Sequence, residues 1–146
     1  MPFVSVTRLR VRSLLYLPQF LWRTFHSVHQ TERAPGFLGG RLLREVRNTY
    51  WTVTLWQDDG AMKTFRVSGA HRAAMPKLLE WCDEASVVNR HQETDELPSW
   101  PEAHRRMVQE GRPSKVNHPS ADQLAFQIPT PQPSRVDRDL KPRTNP

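Results

Sequence analysis

The chain opens on an alternation. In Phe3–Val11, residues Phe3, Ser5, Thr7, Leu9 and Val11 fall on one side and Val4, Val6, Arg8 and Arg10 on the other, the period of a strand. The period then changes. Leu14, Leu17, Leu21, Phe25 and Val28 recur every three or four residues, which predicts an amphipathic helix with Pro18 confined to its first turn. Pro35 and Gly36 stop that helix, and "FLGGRLLREV" from Phe37 predicts a second strand with a bulge at Gly39 and Gly40. "RNT" reads as a turn. Tyr50–Trp56, rich in β-branched and aromatic residues, is the clearest strand signal, so strands two and three form a hairpin. Asp58 and Asp59 are N-cap candidates for a helix on which Met62, Phe65 and Arg66 share a side. Ser68 is placed to cap a second segment that Pro76 disrupts before "KLLEW" resumes. "ASVVNRHQ" alternates again and predicts a fourth strand.

The order strand, helix, strand, strand, helix, strand predicts an α+β, ferredoxin-like βαββαβ fold with a four-stranded antiparallel sheet over residues 1–92. Two helices cover one face of such a sheet. The other face must be buried as well, by the C-terminal tail or by a second copy of the chain. Residues 93–146 form an extension. Ser99, Pro101 and Glu102 announce a short helix over about 99–110. A Pro-rich, partly disordered arm follows, on which "QLAFQIP" around Phe126 is apolar enough to dock on a partner surface.

Composition narrows the classes. The chain of 146 residues has room for one continuous core, and nine of its thirteen prolines follow residue 97, so that core comes from the first part. The net charge of +6 is uneven: residues 1–47 carry eight arginines against Glu32 and Glu45, and the remainder balances. Such a surface attracts nucleic acid, anionic lipid or an acidic ligand. No zinc-finger spacing or aromatic RNA-binding signature accompanies it, so nucleic acid is not an expected partner. Peripheral membrane contact through the basic, aromatic N-terminal end stays open. The Arg-rich start imitates an organellar leader, but its alternation favours a strand, and a cytoplasmic chain is expected. Arg8, Arg10, Arg12 and Arg23 interrupt the most apolar region before it reaches membrane-spanning length. The single cysteine, Cys82, excludes an internal disulfide framework and reads as a small buried residue.

Candidate chemistry is sparse. His26 and His29 lie three apart on the first helix without a third ligand, so no metal site is expected. His71, at the start of the second helical segment, reads either as a structural residue fixing the Ser68 turn or as an acid/base or ligand facing the space between helix and sheet. Trp22, Trp51, Trp56 and Phe65 read as core, or as the walls of a site for a flat apolar ligand.

Trp56, Asp58, Asp59, Ala61, Phe65, Ser68 and His71 together resemble the W-x-(acidic pair)-x-A-x-x-x-F-x-x-S-x-x-H pattern of the antibiotic-biosynthesis-monooxygenase superfamily of dimeric α+β barrels, over about Phe3 to His91. The resemblance implies a homodimer through the sheet face and a small oxygenase binding an apolar or aromatic ligand between helices and sheet. It implies either no cofactor or haem. Haem-degrading relatives have their ligating histidine one turn beyond His71, where this chain has Met75. Their asparagine on the first strand and tryptophan on the second helix have Thr7 and Phe65 as nearest counterparts. The site expected from the resemblance is therefore His71 as acid/base or haem ligand, with Trp22, Trp51, Trp56, Phe65 and Met75 around the ligand. A non-catalytic dimeric binding or assembly module of the same fold is the alternative.

Overall fold

The computed structural model describes residues 1–143; the side chains of Ala70, His71, Pro133, Ser134 and Arg135 lie outside the described set. The alternating stretches became strands β1 (Phe3–Val11), β2 (Phe37–Glu45), β3 (Thr49–Trp56) and β4 (Cys82–His91). The intervening segments became helices α1 (Leu17–Arg33), α2 (Asp59–Arg66) and α3 (Gly69–Trp81). Beyond them lie α4 (Trp100–Glu110), the two-residue β5 (Arg112–Pro113), α5 (Ala121–Ala125) and β6 (Pro133–Leu140).

The core of the sheet is the expected antiparallel β4-β1-β3-β2, but among the described residues the sheet has six strands, in the order β5-β4-β1-β3-β2-β6. The two extra strands come from the extension. The stretch expected to be partly disordered instead pairs along β2, with Leu42 opposite Arg138 and Leu43 opposite Asp137. An edge strand offers unpaired backbone groups along its length, and the arm satisfies those of β2.

Local chemistry explains most boundaries. Asp58 accepts a hydrogen bond from the Ala61 amide and starts α2. Ser99 does the same for Glu102 and starts α4 with Pro101 in its first turn. The β2–β3 turn places Arg47 and Asn48 in left-handed backbone, the geometry that matches the twist of a hairpin. The register of β2 against β3 shifts between Phe37 and Gly39, the expected bulge. Pro76 sits inside α3 without ending it.

One helix departs from expectation in its orientation. The stripe Leu14, Leu21 and Phe25 was expected to face the core, yet all three are exposed. The inward side of α1 is Phe20, Thr24, Ser27, Val28 and Thr31 instead. Helical hydroxyls need acceptors, and Thr31 finds one by donating to the Ser27 carbonyl, 2.7 Å away. With Thr31 thus satisfied, α1 can turn this narrower side to the sheet.

The second face of the sheet is covered by the chain's own extension. Val4, Val6, Leu43, Trp51, Val53, Leu55 and Val88 pack under Trp100, Ala103 and Met107 of α4, with Leu97 and Ile128 at the margin. "QLAFQIP", expected to dock on a partner, docks on its own chain: Gln123 exchanges two hydrogen bonds with the Ala85 backbone. Of the two covers the architecture required, the structure has the tail. Polar contacts fasten it. Gln132 donates its amide to Glu45, 2.7 Å away, and Ser120 donates its hydroxyl to Glu84, 2.9 Å away. Lys141 donates its amide to Glu32, 3.0 Å away, and Arg143 pairs with the same carboxylate.

Candidate active site between helices and sheet

The helix side of the sheet carries two aromatic clusters with a gap between them. At one end Phe3, Phe37, Trp56, Phe65 and Leu140 pack together. The Trp56 ring lies 5.4 Å from Phe37 and 5.1 Å from Phe65, centroid to centroid. At the other end Val11, Phe20, Tyr50, Trp81 and Cys82 form a second cluster, with Phe20 and Tyr50 at 4.8 Å.

Between these clusters the rungs of the sheet are small and hydroxylated. Ser5 pairs with Thr54 and Thr7 with Thr52 across the β1–β3 ladder. Positions that would hold valine or leucine in a packed core hold side chains too short to reach the helices above. The result is a cavity of about 150 Å³. Its floor is Ser5, Thr7, Thr52 and Thr54, its roof includes Phe20, Val28 and Leu78, and Trp56, Phe65 and Met62 close one end. A void of that volume accepts a single benzene-sized ring.

Two of the buried side chains that line this cavity carry a hydrogen-bond donor with no partner among the described residues: the Trp56 indole N–H and the Tyr50 hydroxyl. An unsatisfied buried donor costs roughly 1–3 kcal/mol, so such groups mark places where an acceptor is wanted. Burial raises the Tyr50 hydroxyl above its ordinary value and outweighs the opposing pull of Arg44, which keeps it a protonated donor. Arg23 is the cationic residue at the rim.

The residues expected at the site divide. Trp56 and Phe65 line the cavity together. Trp22 does not: it projects outward from α1 and is 58% exposed. Trp51 points to the opposite face of the sheet, fully buried under α4, with its indole N–H donated to Glu45. Alternation along β3 decides this, because Trp51 and Trp56 stand an odd number of residues apart and must take opposite faces. Met75 is 42% exposed on α3 and is not among the cavity residues. His71 falls within the span of α3, and its side chain lies outside the described residues. The floor hydroxyls and Tyr50 were missed. Their signal was in the alternation itself, in the Ser5–Thr7 and Thr52–Thr54 positions that interrupt otherwise apolar faces.

The turn that carries the family-like pattern is tied to α1. Gln30 donates its side-chain amide to the Ser68 carbonyl, 2.9 Å away, and Gly69 follows in left-handed backbone with φ of 56°. A Cβ there would stand 3.0 Å from the Gln30 side chain, so glycine serves both conformation and close approach.

Cys82 is inert by its surroundings. Burial pushes the Cys82 thiol up to about 12, with Asp83 adding to the effect, which leaves no thiolate for nucleophilic work at neutral pH. Among the described residues no three His, Cys, Asp or Glu side chains are grouped to hold a metal ion. Among the same residues no helix is long and apolar enough to cross a membrane.

Residues 16–77 match the family model for antibiotic biosynthesis monooxygenase. A heme oxygenase (mycobilin-producing) from Mycobacterium tuberculosis is 36% identical over 67 residues, 44% of this chain. The match spans 63% of that relative's length. SnoaB, a cofactor-independent oxygenase from Streptomyces nogalater, superposes with a TM-score of 0.54 at 19% identity, over 64% of this chain and 94% of its own. Rv0793 from Mycobacterium tuberculosis superposes with a TM-score of 0.58 at 11% identity, over 64% of this chain and 97% of its own. These structural likenesses establish the fold.

The cavity between helices and sheet, as the described residues line it, is too small for a haem. A cavity of about 150 Å³ is ring-sized, whereas larger organic ligands occupy pockets of roughly 300–1,000 Å³. Trp22 and Met75, expected around the ligand, lie outside it.

Proposed function

We propose that this chain is a small monooxygenase-like protein that takes one apolar, aromatic ring bearing an oxygen acceptor into the cavity between helices and sheet. The observation that carries the reading is the pair of unpartnered buried donors, Trp56 Nε1 and Tyr50 OH, on a cavity that the flanking side chains leave open. A fully packed interior would have favoured the non-catalytic alternative.

The protein's share of the chemistry is positional and electrostatic. Phe20, Val28, Phe65 and Leu78 exclude water. The Tyr50 hydroxyl, at its end of the cavity, holds a ring oxygen and stabilises negative charge that develops on it, an effect strengthened by the dry surroundings. In a cofactor-free oxygenation the substrate supplies the electrons: the methylene of the phenolic ring's keto tautomer becomes a second carbonyl to give a quinone, one atom of dioxygen enters the product, and the other leaves as water with the two methylene hydrogens. His71 is the candidate to accept the first proton.

Phenol is the simplest probe of this reading. Calorimetric titration of the full chain should show saturable binding, weakened about three- to tenfold in Tyr50→Phe by loss of one hydrogen bond. Absence of binding at millimolar phenol, or an unchanged affinity in the variant, would refute the assignment. A homodimer through the sheet face would require α4 to vacate that face. Light scattering of the full chain at micromolar concentration distinguishes a lone subunit from a pair.

A further inference from the structure

The apolar stripe that periodicity gives α1 exists, but it faces away from the protein. Leu21, Trp22 and Phe25 lie three and four residues apart along its outer side, and Trp22 and Phe25 are 58% and 61% exposed. The turn leading into the helix adds Leu14 and Leu15, both exposed. Single exposed apolar side chains are ordinary on a soluble surface; a stripe of this density marks a contact.

Charge identifies the occupant. From Met1 to Thr31 the chain has no aspartate or glutamate. Glu32 is buried, with its carboxylate taken by the Lys141 amide and Arg143. Arg23 lies over the Trp22 ring at 5.3 Å and forms no ion pair among the described residues. Arg33 donates to the His29 carbonyl, and Arg138 borders the same groove as Phe25 and His29. A large aromatic and aliphatic stripe flanked by arginine, with no exposed carboxylate on the helix, is the pattern of an element that lies in a membrane interface. A second copy is a poorer fit, because isologous pairing would set these cations against one another.

We propose that the outer face of α1 docks on an anionic lipid bilayer. Trp22, Phe25 and the leucines enter the headgroup layer, and Arg23, Arg33 and Arg138 meet lipid phosphates. Arg23 also borders the cavity, so docking brings the cavity rim to the bilayer surface. The proposal does not depend on oxygenase activity.

The test is co-sedimentation of the full chain with phosphatidylcholine vesicles that contain or lack phosphatidylserine, at low salt. The chain should bind only the anionic vesicles, with a blue shift in tryptophan emission, since Trp22 is the exposed tryptophan. The double variant Trp22→Ser, Phe25→Ser should keep its circular dichroism and lose binding by about tenfold or more. Arg23→Ala should weaken binding and flatten its salt dependence. Failure to bind phosphatidylserine vesicles, or binding unchanged in the double variant, would overturn the proposal. So would a concentration-dependent dimer of the full chain that the double variant abolishes, since the stripe would then belong to a second copy.

Discussion

Thr7 of β1 and Thr52 of β3 stand directly opposite each other in the antiparallel ladder, on the side of the sheet that faces the helices. With the neighbouring Ser5–Thr54 pair they leave the space between two aromatic clusters unfilled. Filling it should stabilise the protein and block the site. Thr54→Leu is expected to add about 0.5–2 kcal/mol by cavity filling, read as a raised melting temperature, and to abolish phenol binding. A lowered melting temperature would mean that the floor is already close-packed.

Trp56 and Trp22 make opposite predictions. Trp56 is fully buried between Phe37 and Phe65. Its replacement by alanine should cost on the order of 3–5 kcal/mol, mostly through the cavity left behind. Trp22→Ala removes an outward side chain and should stay within about 0.5 kcal/mol of the parent. Urea titrations of the two variants check the contrast.

Acid should loosen the extension. Burial tends to raise the Glu84 carboxyl, but hydrogen bonds from Arg8, Ser120 and Arg10 outweigh it and hold the group below its ordinary value. Glu32 is likewise held low, the Lys141 amide and Arg143 prevailing over its burial. A carboxyl with a depressed folded-state pKa stabilises the fold above its unfolded value and loses that contribution as pH falls through the folded value. Urea midpoints should therefore be flat near neutrality and decline below pH 4.5, the ordinary value of a glutamate carboxyl. In Glu84→Gln that acid decline should be shallower, while stability at neutral pH should drop by about 3–5 kcal/mol because Arg8 is left buried without its partner. A midpoint that rises on acidification would contradict this assignment.

Ala103 has no exposed surface and sits in α4 against the sheet. Ala103→Asp buries an unpaired carboxylate in that interface and should lift α4 away, baring Val4, Val6, Val53 and Leu55. Light scattering is expected to show self-association in this variant.

Gly36 has a φ of 83°, and a Cβ there would stand 2.6 Å from the Ala61 Cβ of α2. Gly36→Ala should destabilise by about 1–3 kcal/mol through backbone strain together with that clash. Thermal unfolding measures it.

The sequence by itself determined which segments became strands and helices, because backbone periods of two and 3.6 are local properties and Val4–Val6, Tyr50–Trp56 and the caps Asp58 and Ser99 declare them locally. It also showed that one face of the sheet needed a cover. Which cover, which helix side and which tryptophan serve the site were decided by packing between segments far apart in the chain. Phe25 and Leu21 are as hydrophobic as Phe20 and Val28, and only the fit of α1 over Ser5, Thr7, Thr52 and Thr54 turned the former outward. The pairing of β6 with β2 joins residues about a hundred positions apart, and no local pattern in a proline-rich stretch announces a partner at that distance. The cavity arises in the same way: each short hydroxyl side chain is unremarkable alone, and their alignment across two strands makes the void.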